Sequence, residues 1–128
     1  MEQVLENATS LAWIGDAQWS LAVRKHLLAR GFRRPSDLQW LSSKYCSAKG
    51  QASMLEALKS SGILNEDEME IVRRGRNASI HSKAKNADIE TYRKATAFEA
   101  LIGYLSLYHH EERLDQLIDL SLQTGDTL

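Results

Sequence analysis

A single proline, Pro35, stands in the 128 residues of this chain. No other feature constrains its fold as strongly. Proline disrupts helix interiors, and a text that avoids it while being rich in Leu and Ala and poor in Val favours helices over strands. The apolar period supports this reading. Leu11, Ile14, Ala17, Leu21 and Leu28 recur at helical spacing, and Gly31 stops that helix before Pro35. Ser36-Asp37-Leu38-Gln39 reads as a capping box for a short helix through Lys44. A third helix is expected from Ser47 to Ser60, closed by Gly62. Asn65-Glu66-Asp67-Glu68 caps a fourth, which ends near Gly75. Arg76 to Ala87 has no apolar periodicity and reads as a polar loop. Asp88 opens a long helix to about His109, with the stripe Phe98, Leu101, Ile102 and Leu105. Leu114, Leu117, Ile118 and Leu122 mark a last helix finishing near Gly125. No repeat or strand interrupts the pattern, so the expectation is an all-α fold with residues 1–128 as a single compact domain.

Composition narrows the function classes. Hydrophobic residues make up 43% and charged residues 26%, which is ordinary for a globular chain. A domain of this size buries roughly two-thirds of its unfolded surface and needs no disulfide or metal staple. Cys46 is the lone cysteine, so no internal disulfide forms, and a reducing, cytoplasmic setting is expected. The acidic start, Met1 to Glu6, has no signal-peptide run. No apolar stretch approaches the ~20 residues of a membrane span. The net charge of −1 excludes a generally basic nucleic-acid binder; any such role rests on a local patch.

Two carboxylates fall where carboxylates are expensive. From Ala8 to Val23 the one charged residue is Asp16; from Ala95 to His110 it is Glu99. Both stretches read as packed core helices, in which an unpaired carboxylate costs several kcal/mol or takes up a proton. No Lys or Arg lies at i±3 or i±4 of either acid, so neither has a local partner. A divalent cation with oxygen ligands would satisfy both, and Gly15 and Gly103 beside them would let two helices approach closely. The competing reading pairs each acid with a distant Arg or places it at a solvated helix edge.

A local basic stretch does occur. Arg73, Arg74, Arg76, Lys83 and Lys85 lie between Glu70 and Asp88 with no acid among them, accompanied by Asn77 and His81. Phosphate binding is the natural use of such a segment, and a solvated charged loop is the bland alternative. Aromatic residues are not interleaved, which favours the backbone of a duplex over stacked single-strand bases. Other signals are weaker. His109-His110 would diverge by about 100° on a helix and chelate poorly. Cys46 reads as an idle thiol, and Trp13 and Trp19 as core or interface residues.

Trp13-Ile14-Gly15-Asp16-Ala17 resembles the F-L-G-D-A segment of the ribonuclease III signature, and Phe98-Glu99-Ala100-Leu101-Ile102-Gly103 its V-E-A-L-I-G segment. Arg73-Arg74-Gly75-Arg76-Asn77-Ala78, Lys85-Asn86, Tyr92-Arg93, Ser47-Ala48-Lys49 and Gln51-Ala52 are similar to the bacterial Mini-ribonuclease III subgroup. The likeness runs in order from about Leu11 to Leu114. It implies an all-α ribonuclease III catalytic-domain fold without a separate double-stranded-RNA-binding domain. The implied activity is a Mg²⁺-dependent endonuclease, with Mn²⁺ as a substitute, cleaving double-stranded RNA as a homodimer. Asp16 and Glu99 become the catalytic, metal-binding acids. RNA contacts are expected from Lys49, Arg73, Arg74, Arg76, Asn77, Lys83, Lys85 and Arg93. Trp13 aligns with a family Phe at the dimer interface. The subgroup implies precursor large-subunit (23S) ribosomal RNA as substrate. The wider family has further acids where this chain has Thr9, Ala12 and Thr96, leaving two recognisable carboxylates. Two rival readings are a non-cleaving ribonuclease III domain serving as an RNA-binding module and a helical interaction protein with no RNA role.

Overall fold

The structure is a computed structural model and describes residues 1–78 and 88–128. Six helices follow one another: α1 (Ala8–Ala29), α2 (Pro35–Cys46), α3 (Ala48–Ser61), α4 (Glu66–Asn77), α5 (Ile89–Leu107) and α6 (Glu111–Asp126). Among the described residues there is no strand, and no helix is long and apolar enough to cross a membrane. The all-α expectation holds.

Side-chain capping opens three of the six described helices, and Asp88, at the N-cap of α5, makes no such bond. The Asn65 side chain accepts from the Glu68 N–H, while the Glu68 carboxylate accepts from the Asn65 N–H, the reciprocal box that opens α4. Ser47 caps α3, and Gly62 closes it at φ 72°. Asn7 caps α1 one turn earlier than the apolar period suggested. The expected box at Ser36 does not form. Helix α2 already starts at Pro35, whose fixed φ suits a first-turn position. Helix α4 does not end at Gly75 but continues to Asn77. That glycine lies inside the helix because a Cβ there would collide with the Ala97 backbone of α5. Helix α5 ends at Leu107, so His109-His110 occupy a turn rather than a helix.

Helix α5 is the centre of the molecule, packed on α1, α3, α4 and α6. Its buried run includes Ala97, Phe98, Ala100, Leu101, Ile102 and Leu105. Trp19 of α1 is fully buried, stands edge-on to Phe98 at 5.0 Å and donates its indole N–H to the Tyr45 carbonyl of α2 at 2.8 Å. The face that α1 buries differs from the expected stripe. Leu11, Gly15, Trp19, Val23 and Leu27 point inward, while Leu21 and Leu28 are about half exposed. Helix α1 is apolar around most of its circumference, so its own period could not choose a face; contact with α5 does. A second tie joins α4 to α6: the buried Glu68 carboxylate meets the Arg113 guanidinium at 2.7 Å.

Candidate active site

Where α1 crosses α5, the two backbones touch. A Cβ on Gly15 would overlap the carbonyl oxygen of Glu99, and one on Gly103 would overlap that of Leu11. The glycines flanking the lone acids therefore permit the approach that the sequence suggested. The crossing opens into a pocket of about 320 Å³ lined by Thr9, Ala12, Trp13 and Asp16 from α1 and by Tyr92, Thr96 and Glu99 from α5. Larger surface hollows lie between α3 and α4 and between α1 and α2. Chemistry rather than volume selects the smaller pocket. It holds both singled-out acids and all three positions, 9, 12 and 96, at which the resemblance leads one to expect further carboxylates.

The two acids are in contact. Glu99 is half-buried, with its carboxyl within hydrogen-bond reach of that of Asp16. Burial, reinforced by the neighbouring Asp16 carboxylate, pushes the Glu99 carboxyl up to about 8. Opposing this, the Gln51 amide N–H donates to Glu99 Oε2 at 3.2 Å. The expectation that both acids are buried needs correction. Asp16 is exposed on the pocket's outer side, because α1 turns its opposite face to α5. The cost of an uncompensated buried charge therefore falls on Glu99.

Gln51 itself was missed as a functional residue. It is 3% exposed and reaches Glu99 from α3, a third helix. No spacing rule in the sequence connects residue 51 with residue 99. Cys46 is half-buried at the end of α2. Burial pushes this thiol up, in keeping with an unreactive cysteine.

The basic stretch is less free than it looked. Arg73, Arg74 and Asn77 belong to α4, and both arginines fold back onto Glu70, at 2.7 and 2.9 Å. Arg76, also in α4, pairs with Glu90. The acid-free run in sequence is thus not acid-free in space, because a helical turn brings Glu70 under residues 73 and 74. Lys49 is exposed two residues from Gln51. Arg93 is half-buried on α5, and its buried Nε has no hydrogen-bond partner among the described residues. Lys83 and Lys85 lie outside the described residues. Trp13, at the pocket rim, is 76% exposed, in contrast to the fully buried Trp19.

Comparison with known proteins agrees with this geometry. Residues 9–110 match the ribonuclease III domain family. The Mini-ribonuclease 3 of Streptococcus pneumoniae is 44% identical over 119 residues, covering 93% of both chains. That of Brevibacillus brevis is 50% identical over 114 residues, covering 89% of this chain and 84% of the relative. A crystal structure of a Fusobacterium nucleatum protein superposes with a TM-score of 0.78 at 28% identity, covering 91% of this chain and 92% of the other. Two acids in contact across a glycine-lined helix crossing, on a sequence matched along nearly its whole length, lead to one conclusion: the chain belongs to the ribonuclease III family, within its Mini-ribonuclease 3 group.

Proposed function

We propose that this protein is a divalent-cation-dependent endoribonuclease that hydrolyses phosphodiesters in double-stranded RNA. The observation that carries the reading is the meeting of the Asp16 and Glu99 carboxyls in a pocket whose lining, among the described residues, has no Lys or Arg. Two neighbouring carboxyls, of which Glu99 holds its proton up to about pH 8 for want of a counter-charge, suit a hard ion with oxygen ligands, Mg²⁺ or Mn²⁺, and Asp16 and Glu99 would hold it. When bound, such an ion supplies Lewis acidity at a phosphoryl oxygen and a water of lowered pKa. Exposed Asp16 faces the incoming RNA, whereas half-buried Glu99 is fixed from below by Gln51. Lys49 and Arg93, with Arg73, Arg74, Arg76, Asn77, Lys83 and Lys85, position the duplex through its phosphates.

The 128 residues act as one catalytic domain and form a homodimer through Trp13, a large apolar side chain left in solvent at the pocket rim. A two-fold at this rim sets one site against each strand. Precursor 23S ribosomal RNA in the cytoplasm is the proposed substrate. Thr9, Ala12 and Thr96 in the pocket favour one alternative, a domain that binds duplex RNA without cutting it.

The deciding measurement is cleavage of labelled duplex RNA in Mg²⁺ and in EDTA. Cutting is expected in Mg²⁺ alone, and Asp16→Asn and Glu99→Gln should each lower it by about a hundredfold or more while duplex binding persists. Wild-type binding without cutting selects the alternative. Near-normal cutting by both variants removes the metal-site assignment.

A further inference from the structure

We infer that Gln51 is a positioning residue: it holds Glu99 in the orientation in which the acid pair takes its cation, and does so without neutralising the pair. The inference rests on the proposed metal site.

Gln51 is a polar side chain that is 3% exposed, and such a side chain persists in a core only when hydrogen-bonded. Its amide N–H reaches Glu99 Oε2, leaving Glu99 Oε1 with no donor among the described residues. The platform beneath it is stiff. Ser47 caps the first turn of α3, and Gly50 is pressed so closely on the Lys44 carbonyl that a Cβ would not fit. The donor therefore comes from a fixed point on a third helix, while α1 and α5 supply the acids.

The type of donor matters as much as its place. A Lys or Arg at position 51 would satisfy both carboxylates and displace any external cation. A hydrophobic residue would leave the Glu99 side chain free to rotate. A neutral amide directs one oxygen and leaves the negative charge of the pair intact. Groups that orient metal-ligating carboxylates typically contribute 10–100-fold to metal affinity or activity.

Two variants test this in opposite directions. Gln51→Met keeps length and apolar volume but removes the donor, and Gln51→Lys adds a charge. Mn²⁺ is titrated while following both the melting temperature and the cleavage of duplex RNA, with melts in EDTA as the folding control. For Gln51→Met, the Mn²⁺ concentration that gives half the melting-temperature rise, and half-maximal cleavage, should increase about tenfold or more, with saturating Mn²⁺ restoring cleavage. Gln51→Lys should melt higher than the parent in EDTA, show no further rise with Mn²⁺ and fail to cleave. If Gln51→Met matches the parent in its Mn²⁺ titration, or Gln51→Lys still gains stability from Mn²⁺, Gln51 is packing alone and the inference is wrong. A parent protein that neither responds to Mn²⁺ nor cleaves would instead remove the metal site on which the inference stands.

Discussion

Glu68 and Glu99 are both acids that the fold takes out of water, and the protein treats them in opposite ways. Glu68 is 1% exposed. Burial alone would push its carboxyl up, but the Arg113 guanidinium and the Asn65 N–H offset this, holding the carboxyl below its usual range. Glu99 is also raised by burial, but its carboxyl partner is another acid, and the counter-effect comes from one neutral amide. Where the protein needs an acid for architecture, it supplies the cation itself. At the α1–α5 crossing it brings two acids together, and among the described residues no cation pairs with either. That asymmetry is the one expected if Glu68 serves the fold and Glu99 the proposed cation.

The contrast can be broken most forcefully from the structural side. Arg113→Met strands the Glu68 charge and should lower unfolding free energy by about 3–5 kcal/mol, read by urea denaturation. Cleavage per folded molecule should stay near the parent's value; a selective loss of cleavage would show that the two acids are not separable.

On the functional side the sign reverses. The folded-state Glu99 carboxyl titrates near 8 and the unfolded one near 4.5, so between these pH values the folded chain keeps a proton that the unfolded chain has released. Its contribution to stability is intact below about pH 4.5 and is lost as pH rises through 8. In EDTA, Glu99→Gln should therefore be more stable than the parent at pH 8–9. The gap should close towards pH 5 with a slope of up to about 1.4 kcal/mol per pH unit. Parallel stability curves for the two proteins would mean that Glu99 is not perturbed. Mg²⁺ should raise the parent's melting temperature more at pH 8 than at pH 6 and leave Glu99→Gln unmoved.

A contrast in burial also runs along α1. Trp19 is sealed against Phe98, and Trp13 is left in solvent. Trp13→Ala should weaken self-association by about 2 kcal/mol, seen as concentration-dependent mass in sedimentation with helical circular dichroism retained. A variant that remains dimeric at nanomolar concentration but melts much earlier would place Trp13 in the core. The smallest effects belong to single phosphate contacts. Lys49→Ala and Arg93→Ala should each flatten the log K against log salt slope by roughly 0.7–0.9. An unchanged slope removes that residue from the RNA surface.

The sequence alone determined the elements and named the acids. Helix starts and stops are local events, decided by groups three or four residues apart, so the Asn65–Glu68 box and Gly62 were readable directly. Asp16 and Glu99 stood out because a single charge in an apolar stretch is conspicuous without any knowledge of the fold. What only the tertiary structure decided is what crosses between helices. It chose the face that α1 buries, since a helix apolar on most sides has no intrinsic inward direction. It also placed Gln51 on Glu99, Arg113 on Glu68 and Glu90 on Arg76. These pairs are 14 to 48 residues apart in sequence, and no periodicity relates them. Gly75 shows the reason most simply: it reads as a terminator in the chain, yet the helix runs on to Asn77, and the residue is glycine because α5 passes so close that only hydrogen fits in place of a Cβ.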